Sequence, residues 1–142
     1  MRSATSHTGA RLTALRLTTW CGSALCLAAL LACKQSPAVK RAPELKISAQ
    51  QLASDYKANE ARGDSLYKGK VIEIDGAIQS IDSDFSDDPV IVLYTGELLG
   101  CSLRGLPKSV AAGLSKDQRV TFVCVGDGET IGAPKLRDCR VP

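Results

Sequence analysis

The chain has 142 residues, with 18 Lys and Arg against 15 Asp and Glu, and a formal net charge of +3. The whole excess comes from Arg2, Arg11 and Arg16, so residues 33–142 hold 15 basic and 15 acidic side chains. Bulk charge therefore gives no support for nucleic-acid binding, which usually needs a net basic face. Without His7, the single histidine, the rest of the chain can build neither a Ser-His-Asp triad nor a His-ligated zinc site.

The N-terminus has the organisation of a secretory signal peptide. A basic, Ser/Thr-rich leader precedes the apolar stretch Leu17–Ala32, and small residues at its end are typical of a cleavage site. The stretch has 16 residues, fewer than the roughly 20 that a membrane-spanning helix needs. The sequence therefore predicts a cleaved signal peptide over residues 1–32.

The four residues that close this stretch, Leu30-Leu31-Ala32-Cys33, resemble the bacterial lipobox. This resemblance implies that Cys33 becomes the first residue of the mature protein and carries acyl chains such as palmitate. Lys34 follows the cysteine where lipoproteins kept in the inner membrane carry an aspartate, which resembles sorting to an outer membrane. We therefore expect a lipid-anchored protein of the bacterial cell envelope, on the outer membrane and facing the periplasm.

A short tether follows, over residues 33–45. It contains two prolines, few large apolar side chains and the positive charges of Lys34, Lys40 and Arg41, which is typical of an exposed spacer. Its extended reach is about 30–45 Å. The positive charges could touch anionic headgroups, or the segment could be a plain soluble spacer. Residues 46–142 then remain for one small domain.

The domain begins with a helix signal. Ser48 and Gln51 have the spacing of a capping box, and Ile47 and Leu52 have that of a hydrophobic staple. We expect this short N-terminal helix to end at Gly63.

From Ile72 onward the apolar period changes to two, which is typical of half-buried strands, and Gly76 predicts a bend in the first strand. The sequence then predicts a turn over residues 80–88, strands over 89–95 and 98–104, and a short helix over 106–114. A strand over 119–125, a turn over 126–132 and a last strand over 133–141 follow. The order β-β-β-α-β-β predicts a mainly β protein, a five-stranded OB-fold Greek-key barrel.

Many weakly specific positions between residues 46 and 141 resemble one family of bacterial OB-fold lipoproteins, called tRNA_anti-like. They include Tyr67-Lys68-Gly69-Lys70, Asp75-Gly76, Gln118-Arg119-Val120 and Leu136-Arg137-Asp138-Cys139. The chain departs from the family at Ala61-Arg62-Gly63, where the family more often continues the helix. The resemblance implies an OB-fold related to anticodon-binding domains, and it brings no catalytic residues with it.

Three cysteines of the exported domain could form one disulfide. Cys124 and Cys139 fall on neighbouring predicted strands, but a turn near Glu129 would place Cys124 closer to Lys135, so their pairing needs a bulge. We predict the Cys124–Cys139 bond, with Cys101–Cys139 as the alternative. Three buried free thiols are the remaining possibility.

An acidic cluster occupies the predicted loop between the first two barrel strands, one of the loops with which OB-folds usually grip oligonucleotides. The cluster is Asp82, Asp84, Asp87 and Asp88. It lacks the glycine and glutamate of an EF-hand, so we expect a solvated turn, with no metal and no cofactor. Its carboxylates would repel phosphate.

Few residues are candidates for ligand binding. Tyr94 could stack on a ligand from the second strand, and the basic candidates are Lys68, Lys70 and Arg104. We therefore expect a non-catalytic, lipid-anchored OB-fold module that binds an envelope protein or a small ligand, with nucleic acid an improbable partner. The alternatives are a nucleic-acid or oligosaccharide-binding OB domain and a purely structural partner in an envelope complex.

Overall fold

The computed structural model describes residues 41–142. The predicted signal peptide, the lipobox with Cys33 and the tether as far as Lys40 lie outside the described residues. No helix in the described part of the chain is long and apolar enough to cross a membrane.

Six strands and three short helices make up the domain. In chain order they are β1 (Leu45–Ser48), α1 (Ala49–Ala58), α2 (Glu60–Tyr67), β2 (Val71–Ser83), β3 (Pro89–Leu93), β4 (Cys101–Leu103), α3 (Lys108–Ala111), β5 (Arg119–Thr130) and β6 (Ala133–Arg140).

Five of these strands close into a barrel. The neighbours run β2-β3-β4-β6-β5, and β5 pairs again with β2. All pairs are antiparallel except β4 with β6. This is the predicted OB-fold, with α3 between the third and fourth barrel strands as expected.

The long strand β2 pairs with a different neighbour along each half. Its first half pairs with β5 over Val71–Ala77, and its second half pairs with β3 from Ile78 onward. Gly76 lies at the change of partner, where a Cβ atom would be 3.2 Å from both the Ala49 Cβ and the Leu93 Cδ1 atoms. Gly76 is therefore a point of close packing, and the register irregularity in β2 lies between Ile78 and Ser80.

A strand that was not predicted lies outside the barrel. β1 pairs in parallel with the first half of β2, from Leu45 opposite Ile72 to Ser48 opposite Asp75. Leu45, the last residue of the predicted tether, is thus the first residue of a strand. Ser48 ends β1 and caps α1, and its hydroxyl accepts the Gln51 N–H at 3.2 Å.

The core lies inside the barrel and under α1. Strand residues alternate between it and the surface, and burial of each large aliphatic side chain contributes about 1.5–3 kcal/mol. The largest fully buried aliphatic side chains include Leu52, Ile72, Ile74, Ile78, Ile91, Leu93, Leu103 and Leu136.

The prediction that the helix ends at Gly63 was wrong. α1 ends at Ala58, and Asn59 then caps a second helix by accepting the Arg62 N–H at 2.9 Å. Gly63 lies inside α2, where a Cβ atom would be 2.5 Å from Cδ1 of the Tyr56 ring. The glycine allows the two helices to pack closely and does not terminate either of them.

Several predicted bounds were also wrong. β2 continues to Ser83 and β5 to Thr130, so the predicted turns over residues 80–88 and 126–132 are much shorter. The β5–β6 hairpin turns at Ile131 and Gly132, both with positive φ (56° and 78°), as in two-residue type I′ turns. β3, β4 and α3 are shorter than predicted.

The structure contains a disulfide between Cys124 and Cys139, with the Cα atoms 4.1 Å apart. Val123 lies opposite Arg140 and Val125 opposite Arg137, so β6 has one residue more than β5 at this point. Asp138, beside Cys139, has a positive φ of 51°. This is the bulge that the pairing requires, and Cys101 remains a buried free thiol.

Candidate ligand-binding face

The second and third barrel strands of an OB-fold usually carry its ligand, and here they are β3 and β4. Ile91, Leu93, Cys101 and Leu103 point into the core. The alternate positions, including Val92, Ser102 and Arg104, point outward and are half-buried or exposed. We define the outward side of β3 and β4 as the ligand face.

Arg104 is held firmly at the end of β4. Its N–H donates to the Leu136 carbonyl and its own carbonyl accepts the Cys139 N–H, both at 3.0 Å. The guanidinium lies 3.9 Å from the Asp84 carboxylate. Two backbone hydrogen bonds to β6 thus fix the base of a side chain that faces the β2–β3 loop.

The β2–β3 loop, residues 84–88, is tightly folded around Asp84. The Asp84 carboxylate accepts the N–H groups of Ser86 and Asp88 at 2.9 and 3.1 Å. Asp87 forms an ion pair with Lys108 at 2.8 Å, and this contact lowers the pKa of Asp87. The loop holds Phe85 fully exposed to solvent. It therefore presents one aromatic ring among carboxylates.

Two open grooves flank Arg104. The first has a volume of about 560 Å³, the second about 380 Å³, and the Arg104 side chain lines both. The first is also lined by Asp82, Ser83, Asp84, Phe85, Ser86 and Val90, and the second by Ser102, Asp127, Thr130, Ala133, Lys135 and Leu136. The pair of grooves offers hydroxyl groups and carboxylates as well as two basic side chains.

A buried amide oxygen lies near the same strands. Oε1 of Gln79 has no hydrogen-bond partner among the described residues. It would be 2.6 Å from a Cβ atom on Gly100, and Cγ1 of Val92 would be 2.4 Å away. Gly100 therefore leaves room for the Gln79 amide to cover the start of β4.

The predicted ligand-binding residues do not form one cluster. Tyr94 directly follows β3 and is half exposed, and Arg104 lies on the ligand face. Lys68 instead lies after α2 in an ion pair with Asp64 at 2.8 Å, a contact that raises the pKa of Lys68. Lys70 precedes β2, where its carbonyl accepts the Gly126 N–H. Two of the four candidates are thus on the ligand face.

Of the predicted candidates only Arg104 lines these grooves, and three of the other lining residues show why. Ser102 lies two positions before Arg104, so strand alternation alone could have placed both on one face. Lys135 lies opposite Ser102 in the β4–β6 pair, which only the parallel register reveals. Phe85 was visible as an aromatic side chain in the acidic loop, but no local pattern indicates its complete exposure.

The titratable groups with the largest pKa shifts do not lie on this face: Tyr56 and Tyr67 belong to α1 and α2, and the Cys101 thiol of β4 points into the core. Burial and the neighbouring Asp64 raise the pKa of Tyr56, and burial and the hydrogen bond to Asp55 raise the pKa of Tyr67 to about 12. Within residues 41–142, no three His, Cys, Asp or Glu side chains are grouped so that they could hold a metal ion.

Comparison with known proteins identifies the fold and the family. No curated protein matches the chain. A crystal structure of a putative nucleic acid-binding lipoprotein from Klebsiella pneumoniae subsp. pneumoniae is similar, with a TM-score of 0.54 and 20% identity. The match covers 68% of this chain and 90% of that one. The tRNA_anti-like family model matches residues 17–140, and the chain therefore belongs to the tRNA_anti-like family.

Proposed function

We propose that the chain is a lipid-anchored, non-catalytic OB-fold binding module of the bacterial envelope. The main support for a lipid anchor is the lipobox-like sequence Leu30-Leu31-Ala32-Cys33 at the end of an apolar leader. The structural similarity to a protein named as a lipoprotein supports it. The anchor would hold the domain within reach of its tether from the membrane surface, on the periplasmic side of an outer membrane.

The grooves around Arg104 support a binding function. Backbone hydrogen bonds to β6 hold this residue in place, and a rigid support of this kind favours binding because little order must be gained when a ligand arrives. The side chains of Ser102 and Thr130 and the carboxylates of Asp82 and Asp127 add donors and acceptors. The ligand best suited to this set is polar and carries little net charge, or is a protein surface with mixed charges.

The pKa shifts of the titratable side chains support a non-catalytic role. General acids and bases work best with a pKa near the operating pH. Here burial raises the pKa of Tyr67 and of the Cys101 thiol to about 12, and ion pairs with lysines lower the pKa of Asp64 and Asp87. All four shifts move these groups away from neutral pH.

A capture experiment tests the proposal. Residues 33–142 immobilised through the N-terminus should retain a component of envelope extract, and Arg104→Glu should abolish this retention. Arg119→Glu is the matched control, because Arg119 is also exposed and ion-paired, to Asp75 at 2.9 Å, but lies outside the ligand face. Equal retention by all three proteins would contradict binding through this face.

A nucleic-acid ligand is the second candidate. It is favoured by the name of the similar Klebsiella protein and by the exposed Phe85 and Tyr94 rings, on which bases could stack. The acidic β2–β3 loop opposes it, since its carboxylates would repel phosphate.

A further inference from the structure

A cluster of exposed aliphatic side chains lies where the β3–β4 loop meets the β5–β6 turn. Leu98 is 93% exposed, Ile131 86% and Leu99 45%. With Lys57, Glu97 and Gly132 they line a groove of about 310 Å³. We call Leu98, Leu99 and Ile131 the aliphatic tip.

The loop that presents Leu98 has a defined structure. The buried Thr95 hydroxyl donates to the Leu99 carbonyl at 3.1 Å and accepts the Glu97 N–H at 3.3 Å. Glu97 also forms an ion pair with Lys57 of α1 at 2.8 Å. These contacts hold the loop against α1, so the exposure of Leu98 is a fixed feature of the surface.

Ile131 is an unusual residue for its position. Its φ of 56° is a genuine outlier for a β-branched side chain, and Asn, Asp or Gly is usual at this place in a two-residue hairpin. The strained backbone gains no burial within the domain, because the side chain points to solvent. Contact of the Ile131 side chain with an apolar surface outside the domain would bury it.

The tip projects from one end of the barrel. The β2–β5 ladder stops at Val71 opposite Val125, whereas the β5–β6 hairpin continues to Thr130 opposite Ala133. At the far end of β6, the Arg140 guanidinium donates to the Arg41 carbonyl at 3.3 Å. The first described residue therefore lies at the opposite end of β6 from the tip. The eight residues of β6 span about 26 Å at roughly 3.3 Å per residue.

This distance equals the reach of the chain that leads to Cys33. Arg41 is eight positions after Cys33, and an extended chain of that length spans about 26–29 Å. A bilayer that holds Cys33 can therefore also reach the tip, even when β6 stands upright on its surface. The neighbouring charges, Lys57 and Glu97, neutralise each other and require no charged partner.

We propose that the aliphatic tip inserts into the lipid bilayer that carries the Cys33 anchor, and thereby fixes the orientation of the domain. The proposal rests on the proposed anchoring. A bilayer is the favoured occupant because the anchor keeps it at a high effective concentration. Aliphatic side chains on projecting loops can enter the interface without a complementary pocket, and a second contact strengthens a lipid anchor.

The test uses residues 33–142, which contain every described element and the whole core, with Cys33 coupled through maleimide to a lipid in phosphatidylethanolamine and phosphatidylglycerol vesicles. Cys124 and Cys139 are bonded and Cys101 is buried, so Cys33 is the reactive thiol. Because the coupling is chemical, the result does not depend on acylation in the cell, which the mass of the natural N-terminus reports separately.

The readout is the fluorescence of single tryptophans, since Trp20 is the only native one and is missing from this fragment. Ile131→Trp and Leu98→Trp should emit at shorter wavelength on the coupled vesicles and be quenched by brominated lipid. Phe85→Trp, equally exposed but on the β2–β3 loop, should show neither effect.

Two results would overturn the proposal. The first is emission from Ile131→Trp and Leu98→Trp that stays that of a water-exposed indole on the coupled vesicles. The second is a shift that already occurs without vesicles and accompanies a dimer in size-exclusion chromatography, since a second copy would then cover the tip. Ile131→Gly controls for folding, because glycine suits the positive φ. In the Leu98→Trp background it should fold normally and reduce the quenching.

Discussion

Gly126 of β5 lies directly against the backbone carbonyl of Tyr67. A Cβ atom at position 126 would be 2.0 Å from the Tyr67 oxygen. On either side of this contact, the Gly126 carbonyl accepts the Gly69 N–H at 2.9 Å and its N–H donates to Lys70 at 3.0 Å. The end of α2 and the start of β2 are thus attached to β5 through a position that has room only for hydrogen.

We predict that Gly126→Ala destabilises the domain by about 1–3 kcal/mol, the usual cost of overpacking a tight site. The carbonyl is part of the backbone and cannot rotate away, so the end of α2 must move away from β5. Gly113→Ala is the matched control, since its Cβ atom would meet only the Val110 oxygen at 3.6 Å. Urea unfolding measures both variants, and equal midpoints for the two would contradict the prediction.

The disulfide gives a second prediction. It closes a loop with a sequence separation of 15, for which the chain-entropy argument gives about 3 kcal/mol. Cys124→Ala with Cys139→Ala should therefore lower the free energy of unfolding by about that amount. Peptide mapping without reductant provides the direct check. Free thiols at Cys101, Cys124 and Cys139, or a Cys101–Cys139 peptide, would contradict the assignment.

Cys101 should be chemically silent in the folded protein. It is completely buried in the core, and burial raises the pKa of its thiol to about 12, so the reactive thiolate is scarce at ordinary pH. The test uses residues 33–142 with Cys33→Ala. In this protein we expect no alkylation by iodoacetamide at about pH 8, slightly below the usual thiol pKa. After unfolding in urea without reductant, we expect one equivalent of label. Rapid labelling of the native C33A protein would contradict this burial.

The sequence predicted the barrel well because its signals are local. The alternation from Ile72 and the capping residue Ser48 each depend on close neighbours in the chain, and both features are present. Gly63 and Gly126 misled the prediction because glycine also marks close approach between distant segments. The partners at these positions, Tyr56 and Tyr67, become visible only once the chain is folded.

The remaining differences also depend on contacts between distant residues. β1 has only four residues, so its own sequence carries a weak strand signal. It forms a strand because it pairs with the free edge of the first half of β2. On the ligand face, Arg104 was predicted, but its groove partner Lys135 comes from the parallel β4–β6 pair. Lys68 was a candidate by charge alone, and its ion pair with Asp64 is specific to the folded chain.

The raised pKa of Tyr67 predicts a loss of stability at alkaline pH. Burial and the hydrogen bond to Asp55 raise this pKa to about 12, whereas an unfolded tyrosine titrates near 10. The unfolded state therefore loses its proton first, and the contribution of the hydroxyl is complete below about pH 10 and disappears as pH rises towards 12. As pH rises from about 8.5 to 11.5, the urea midpoint of Tyr67→Phe should fall less steeply than that of the unsubstituted protein. Parallel slopes for the two proteins would contradict the assignment.

We expect the domain to bind nucleic acid only weakly at physiological salt. Residues 33–142 have no formal net charge, and Lys68, Arg104 and Lys108 each lie beside a carboxylate. Titration of residues 33–142 with labelled single-stranded DNA and RNA at about 0.15 M salt should show no micromolar complex. A micromolar or tighter complex that weakens steeply with salt and is lost in Arg104→Glu would favour the nucleic-acid alternative.

The mass and location of the natural N-terminus test the central claim most directly. We expect the full-length chain, expressed in a bacterium with an outer membrane, to yield an N-terminal peptide that begins at Cys33 and carries lipid mass. The protein should remain in the membrane fraction after a salt wash, and Cys33→Ala should release it, because the acyl chains supply most of the membrane affinity. An unmodified Cys33, or a Cys33→Ala protein that stays with the membranes after the same wash, would contradict the account.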